Sequence, residues 1–356
     1  MVQYIIRRLL VIPLIMFLVS VIIFLLILQL PAEERVTAYL PSARANLSEE
    51  EFDKLVQITI KRYGLDKPPV LQYTSWVSNL VRGDWGFSPS WRQPVLEGLM
   101  QRAPATIELT LFAMFPSCLL AIILGKLSVQ KLGRFQDHLV RTSTFLGWSF
   151  PPFILALILL NVFYAWLKWF PPERMSIWAS AFIRSDSFHS YTGLLTVDAL
   201  LNGNLPLFGD ALSHLALPGF TLALAEWALL TRIMRSSLLE VMSMDYITTA
   251  RSKGLQERAV IGQHALRNAV LPLISTGGVI SASLITSVTV IEIVFNFNGV
   301  GRWAVIAFQS TEIPVTVGFA LFSCGVTVLS SLIADICYAI ADPRIRLFVE
   351  NGEVAV

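Results

Sequence analysis

The 356 residues are 54% hydrophobic and only 15% charged, with a net charge of +2 and a mean hydropathy of +0.63, where a soluble domain carries about a quarter charged residues. The apolar residues fall in long blocks, which is the membrane pattern, and so even a charge balance points to no nucleic acid partner. The three cysteines, Cys118, Cys324 and Cys337, all lie within those blocks without Cys-x-x-Cys spacing, so they read as small packing residues and not as a disulfide or metal set.

The first block, Leu9 to Leu30, follows Arg7-Arg8 and ends at Pro31. It is long enough to cross the hydrocarbon core, and Pro31-Ala32-Glu33-Glu34 offers only a poor cleavage site after it, so it is expected as an uncleaved first span. Residues 32–105 are soluble in character. Ser48-Glu49-Glu50-Glu51 is a capping box, with Leu47 and Phe52 placed as a hydrophobic staple, and Gly64 closes the helix. Phe52, Leu55, Val56 and Tyr63 share its face, which Thr59 interrupts. A second amphipathic helix follows Pro68-Pro69, presenting Tyr73, Trp76, Val77 and Leu80 and ending at Gly83. Asp84-Trp85-Gly86 reads as a turn, and Pro94 starts a further short helix through Leu99.

Five more spans are expected: Thr106–Gly125; Thr142–Leu167, kinked at Pro151-Pro152; His214–Leu230; Val270–Val294; and Val315–Ile340. Residues 168–213 are too irregular to assign. The chain thus divides into a first span (1–31), an outer segment (32–105), a five-span core (106–344) and a short tail (345–356). One set of short loops carries Arg7, Arg8, Lys126, Lys131, Arg134, Arg141, Arg232, Arg235, Arg251, Lys253, Arg258, Arg267, Arg344 and Arg346. The opposite set carries only Lys168, Arg174, Arg184 and Arg302, and this bias places both termini in the cytoplasm.

Nothing in the sequence supports covalent chemistry. Gly125-Lys126-Leu127 lacks the glycine-rich loop of a nucleotide site, and the four histidines are scattered, so neither a cofactor nor a metal is expected. Charges within the spans are few. Glu226, deep in the fourth, either faces solute or bonds a neighbouring helix; Glu292 and Asp335, near span ends, suit interface or packing roles. Ser281, Ser283 and Ser287 in the fifth span either line a polar path or belong to the small-residue packing surface around Gly278 and Ala282.

Between the fourth and fifth spans lies a polar stretch, Asp245-Tyr246-Ile247-Thr248-Thr249-Ala250-Arg251-Ser252-Lys253-Gly254, continuing to Pro272. Asp245 is expected as an N-cap, Arg251 and Lys253 occupy the last turn, and Gly254 offers a left-handed stop. A helix of about two turns is too short to stand alone. Spacing leaves two readings open, a linker along the headgroups or a dock for another protein.

The stretch resembles the EAA loop of binding-protein-dependent ABC importers, and within them the oligopeptide/dipeptide permease branch. The matching residues are Tyr246, Thr249, Ala250, Arg251, Lys253, Gly254 and Leu255, then His264-Ala265-Leu266-Arg267-Asn268-Ala269 and Leu271-Pro272. Thr248-Thr249-Ala250 departs from the generic Glu-Ala-Ala at its first two positions. Tyr4-Ile5-Ile6-Arg7-Arg8, Tyr63-Gly64-Leu65-Asp66-Lys67-Pro68, Arg82-Gly83-Asp84-Trp85-Gly86, Pro104-Ala105-Thr106-Ile107-Glu108-Leu109, Asn298-Gly299-Val300-Gly301-Arg302 and Asp342-Pro343-Arg344-Ile345-Arg346 are similar to other segments of that family. The resemblance implies an all-α membrane protein with six transmembrane helices in the type I ABC importer permease fold. It also implies a second homologous permease, two cytoplasmic ATPase subunits and an external solute-binding protein, with Asp245, Tyr246, Thr249, Ala250, Arg251, Lys253, Gly254 and Leu255 coupling to an ATPase. Peptides are the implied solute, and nickel, glutathione-like compounds and oligosaccharides are alternatives within the same machine. A membrane-embedded enzyme would need paired carboxylates or histidines at matching depth, which Glu226, Glu292 and Asp335 do not obviously supply. An ATP-independent channel or secondary transporter would show internal repeats, and no clear repeat is found.

Overall fold

The computed structural model describes residues 2–31, 35–36 and 48–341. Apart from a two-residue antiparallel ladder pairing Phe87 with Pro94 and Ser88 with Gln93, the described elements are helices. Helix α1 (Val2–Leu28) lies outside the main core, with Leu10 and Leu26 about two-thirds exposed. Its Phe24 is buried, and Ser20 Oγ lies 2.8 Å from the hydroxyl of Tyr73.

Helix α2 (Glu49–Tyr63) begins as expected, with Ser48 and Glu51 capping each other's backbone, and ends at Gly64 with φ 65°. Leu47 lies outside the described residues. Thr59 does not break the apolar face: it is buried, its hydroxyl donating to Leu55 O at 2.7 Å, whereas Tyr63 turns outward. A hydroxyl that satisfies itself on the preceding turn can enter a core. Helix α3 (Pro69–Val81) lays Tyr73 and Trp76 against Phe24.

Three expectations are corrected in the core. The short helix at Pro94 and the second span are one helix, α4 (Val95–Gln130), 36 residues long. The third span is broken, not kinked: α5 (Phe135–Ser149) and α6 (Pro152–Leu159, continued by a π-helical stretch Leu160–Trp166) meet at 99°. Phe150, preceding a proline, is extended at φ −92°, ψ 124°, and Pro152 occupies the first turn of a new helix where its missing N–H has no cost. The unassigned 168–213 segment holds α7 (Ile177–Phe182), α8 (Leu195–Leu201) and the start of α9 (Leu205–Met242), which at 38 residues overruns the predicted fourth span at both ends.

After the polar loop come α13 (Leu271–Val294), α14 (Val300–Gln309) and α15 (Ile313–Ala341). Among the described residues four helices are long and apolar enough to cross a membrane, and the bent pair makes a fifth. The continuous 24-residue α13, about 36 Å at 1.5 Å per residue, supplies the length of the sixth. Phe115, Phe145 and Trp166 are each more than 60% exposed on these helices, a surface that suits lipid and not water.

The main core forms where α4, α9 and α13 meet, around Leu109, Leu222, Met234, Leu284 and Ile291. Close approach of α4 and α9 depends on glycines: a Cβ at Gly125 would strike Met234, and one at Gly219 would strike Phe112. Glu292 is fully buried, accepting from Thr106 Oγ1 at 2.5 Å and from the N–H of Arg302 at 2.9 Å. It therefore caps the first turn of α14 from inside the bundle. A Cβ at Gly299 would collide with its carboxylate. Asp335 pairs with Arg8 at 3.1 Å and joins α15 to α1.

Candidate functional site

Two residues after α9 ends, the polar stretch forms helix α10 (Asp245–Ser252). Its N-cap is Met244, at φ −78° and ψ 148°, and no side chain caps it. Asp245 is the first helical residue, which corrects the expected capping role. Its charge still favours the positive end of the helix dipole. Lys253 is the C-cap, and Gly254 follows at φ +80°, its N–H donating to Arg251 O at 2.9 Å. Nothing lies within 4 Å of where its Cβ would stand. Conformation, not space, selects glycine there.

The helix has two unlike faces. Ile247 and Ala250, three residues apart, are buried in the main core beside Val260, Ile261 and Ala265 of the next segment. That segment is α11 (Glu257–Ala259), a π-helical turn (Val260–Ala265) and α12 (Leu266–Ala269). Tyr246, Thr249, Arg251, Lys253, Gly254 and Leu255 are exposed. Ala250 thus positions the helix instead of presenting a contact. Arg251 Nη2 donates to Glu257 Oε1 at 2.6 Å and its Nε to Oε2 at 3.1 Å. Those hydrogen bonds hold the Glu257 carboxyl below its ordinary range, against a smaller effect of burial. Tyr246 accepts from Asn268 Nδ2 at 2.8 Å across the mouth of a cavity of about 450 Å³, which Glu240, Pro272 and Tyr338 also line.

A buried polar clamp, not foreseen from sequence, joins the helix ends next to this loop. Asp137 of α5 is 2% exposed and accepts from Arg235 Nε of α9 at 3.0 Å, Arg235 Nη2 at 3.3 Å and the N–H of Gly133 at 3.1 Å. Ser128 of α4 also donates to it and accepts from Arg235 Nε at 2.8 Å. The available signal was one carboxylate in an otherwise basic loop between Lys131 and Arg141.

The suggested pathway residues are not brought together by hydrogen bonds. Glu226 is buried in the middle of α9 and bonds no described residue. Ser283 is exposed, its hydroxyl donating back to Ile280 O at 2.8 Å, and Ser287 is half-buried. The side chains of Ser281 and Ala282, and the surroundings of Gly278, lie outside what the structure describes.

Residues 117–347 match the family described as binding-protein-dependent transport system inner membrane component, and residues 1–110 match its N-terminal companion. The chain is 37% identical over 304 residues to a probable D,D-dipeptide transport system permease protein, DdpB, of Escherichia coli K12, covering 85% of this chain and 88% of that one. It is 34% identical over 347 residues to the oligopeptide transport system permease protein AppB of Bacillus subtilis, covering 97% and 100%. It is 33% identical over 347 residues to the dipeptide transport system permease protein DppB of E. coli K12, covering 97% and 99%.

Proposed function

Because the chain belongs to the family of binding-protein-dependent transport system inner membrane components, and to its peptide permeases by likeness over nearly its whole length, we propose that it forms half of the translocation pathway of an ATP-driven peptide importer. A second homologous permease completes the pathway. Of two ATPase subunits, one docks on the exposed face of α10 and the other on the second permease, and an external binding protein delivers solute to the opposite end. The end bearing α10 and both termini is cytoplasmic, which the basic-residue bias supports.

The observation that carries this reading is the two-faced helix. Its inward residues Ile247 and Ala250 fix it to the core, and its outward residues remain for a partner. Closure of the ATPase pair on ATP displaces α10. The displacement passes to α9 across Ser243 and Met244, and the Asp137–Arg235–Ser128 clamp carries the ends of α4 and α5 with it. Coupling of this kind needs a rigid connector with different contacts in the two states.

Gly254→Pro tests the reading. Proline cannot adopt φ +80° and removes the N–H that bonds Arg251 O. ATP-driven uptake of a radiolabelled peptide in proteoliposomes is expected to fall at least about tenfold, with ATPase association weakened or hydrolysis uncoupled. Full uptake with normal ATPase binding would refute it.

A further inference from the structure

At the end of the bundle opposite α10 lies a pocket of about 600 Å³ between the start of α4, α7 and the first turn of α14. Four guanidinium groups line it, from Arg102, Arg174, Arg184 and Arg302, against a single carboxylate among the lining residues, Glu173. Glu173 is exposed and already accepts from Asn296 Nδ2 at 3.0 Å. Arg174 is paired with Glu108 at 3.1 Å, on the side toward α4.

Arg102 is the informative member. It is 6% exposed and meets no carboxylate among the described residues. Its guanidinium lies over the indole rings of Trp91 and Trp303, at 4.6 and 4.8 Å from their centroids, Nη1 donates to Gly98 O at 3.0 Å, and Nε has no partner. The buried Nε of Arg174 and Oγ of Ser176 beside it are also unbonded. A desolvated cation without a counter-ion is costly. The two indoles lie against this one, Trp303 buried and Trp91 exposed, and a planar guanidinium recognises a planar anion of two oxygens. The excess of positive charge and the unused donors call for an anion, and a planar carboxylate matches the planar guanidinium.

We propose that this pocket is a carboxylate-receiving site and that it takes the terminal carboxylate of the incoming peptide before the peptide enters the pathway. The proposal rests on the peptide-importer reading above. An acidic side chain of the delivering protein is the other source of the same chemistry.

The test uses the assembled permease–ATPase complex in nanodiscs, with Arg184→Gln/Arg302→Gln as the variant, since neither side chain is packed in the core. Trialanine and its C-terminal amide are titrated while tryptophan fluorescence is followed, because Trp91 and Trp303 flank Arg102. Expected is a saturable change with trialanine, weakened at least about tenfold both by the amide and by the variant, as loss of a charge-assisted pair requires. If peptide and amide act alike while the variant weakens binding-protein stimulation of ATP hydrolysis in a salt-dependent way, the carboxylate comes from the delivering protein and the solute assignment is overturned. If neither titration nor stimulation responds, the site itself is overturned. Copurification of the ATPase subunits and their basal hydrolysis report separately on the importer reading.

Discussion

Replacing Asp137 by alanine removes the acceptor at the centre of the clamp and leaves Arg235 without its counter-ion. Asp137 is 2% exposed and Arg235 22%, so the carboxylate is a buried partner and the guanidinium a nearly buried one. Removing one member of a buried pair costs about 3–5 kcal/mol; Arg235 retains some contact with water, so the lower limit, about 3 kcal/mol, is the appropriate value. Ser128 also loses the acceptor of its hydroxyl. Arg235→Met leaves Asp137 equally uncompensated, whereas Asp137→Ala/Arg235→Met removes both charges together and recovers much of the loss. The double-mutant cycle is therefore expected to give a coupling energy of about 2 kcal/mol. Unfolding of the purified protein by SDS in mixed micelles, followed by circular dichroism, measures it. A coupling energy below about 0.5 kcal/mol, the level at which independent sites add, would show that the clamp does not bind these helix ends together.

Two further outcomes are expected. Glu226→Gln keeps the shape of a buried group that bonds no described residue but removes its ionisable carboxyl, and initial rates of peptide uptake should fall several-fold with ATPase assembly unchanged; unchanged uptake with every solute tried argues against a pathway role for Glu226. Asp198 of α8 is pushed upward by burial, but the side-chain and backbone donors of Thr192, with Gly193 N–H and Ser190, outweigh this and hold its carboxyl below the ordinary range. A depressed carboxylate stabilises the fold above its unfolded pKa and loses that contribution as pH falls through the lowered folded value. Amide-exchange protection of residues 189–202 should thus stay level from neutral pH and decline only below about pH 4, and Asp198→Asn should abolish this acid dependence. A decline already between pH 7 and 5 would contradict the assignment.

Elements controlled by local chemistry were legible in the sequence. Ser48, Glu51 and Gly64 fix the ends of α2 through the backbone alone, and Gly254 terminates α10 because few other residues tolerate φ +80°. Span lengths were harder to read. Hydropathy ends a span at the first charges, yet α4 and α9 continue through Arg102, Arg232 and Arg235 because indole faces, Trp148 or Asp137 receive those guanidiniums. Asp245 has the right residue type for an N-cap, but the break after α9 falls one residue earlier, at Met244. The clamp and the arginine pocket were illegible for a common reason. Asp137 meets Arg235 across 98 positions, and Arg102 lies between Trp91 and Trp303, so only the packed fold brings these groups together.

If an ATPase docks on α10 as proposed, the length of α9 sets how a displacement of α10 reaches the pathway. Its 38 residues extend about 57 Å, nearly twice the hydrocarbon thickness of about 30 Å, and both end regions are tied to neighbouring elements. At the far end Asp210 accepts from the N–H of Ser176 at 3.0 Å, and His214 Nδ1 donates to Pro172 O at 2.9 Å. That segment is joined in turn to α4 through Arg174 and Glu108. At the near end Arg235 is held in the clamp. Between the ties the helix has one interior proline, Pro218, where a backbone hydrogen bond is missing and bending costs least. Glu226 lies about two turns on the α10 side of that point, so under the proposed docking at α10 we expect it to follow α10 while the arginine pocket stays with the opposite end. On that reading, bending at Pro218 alters the separation between Glu226 and the arginine pocket without rearranging either one.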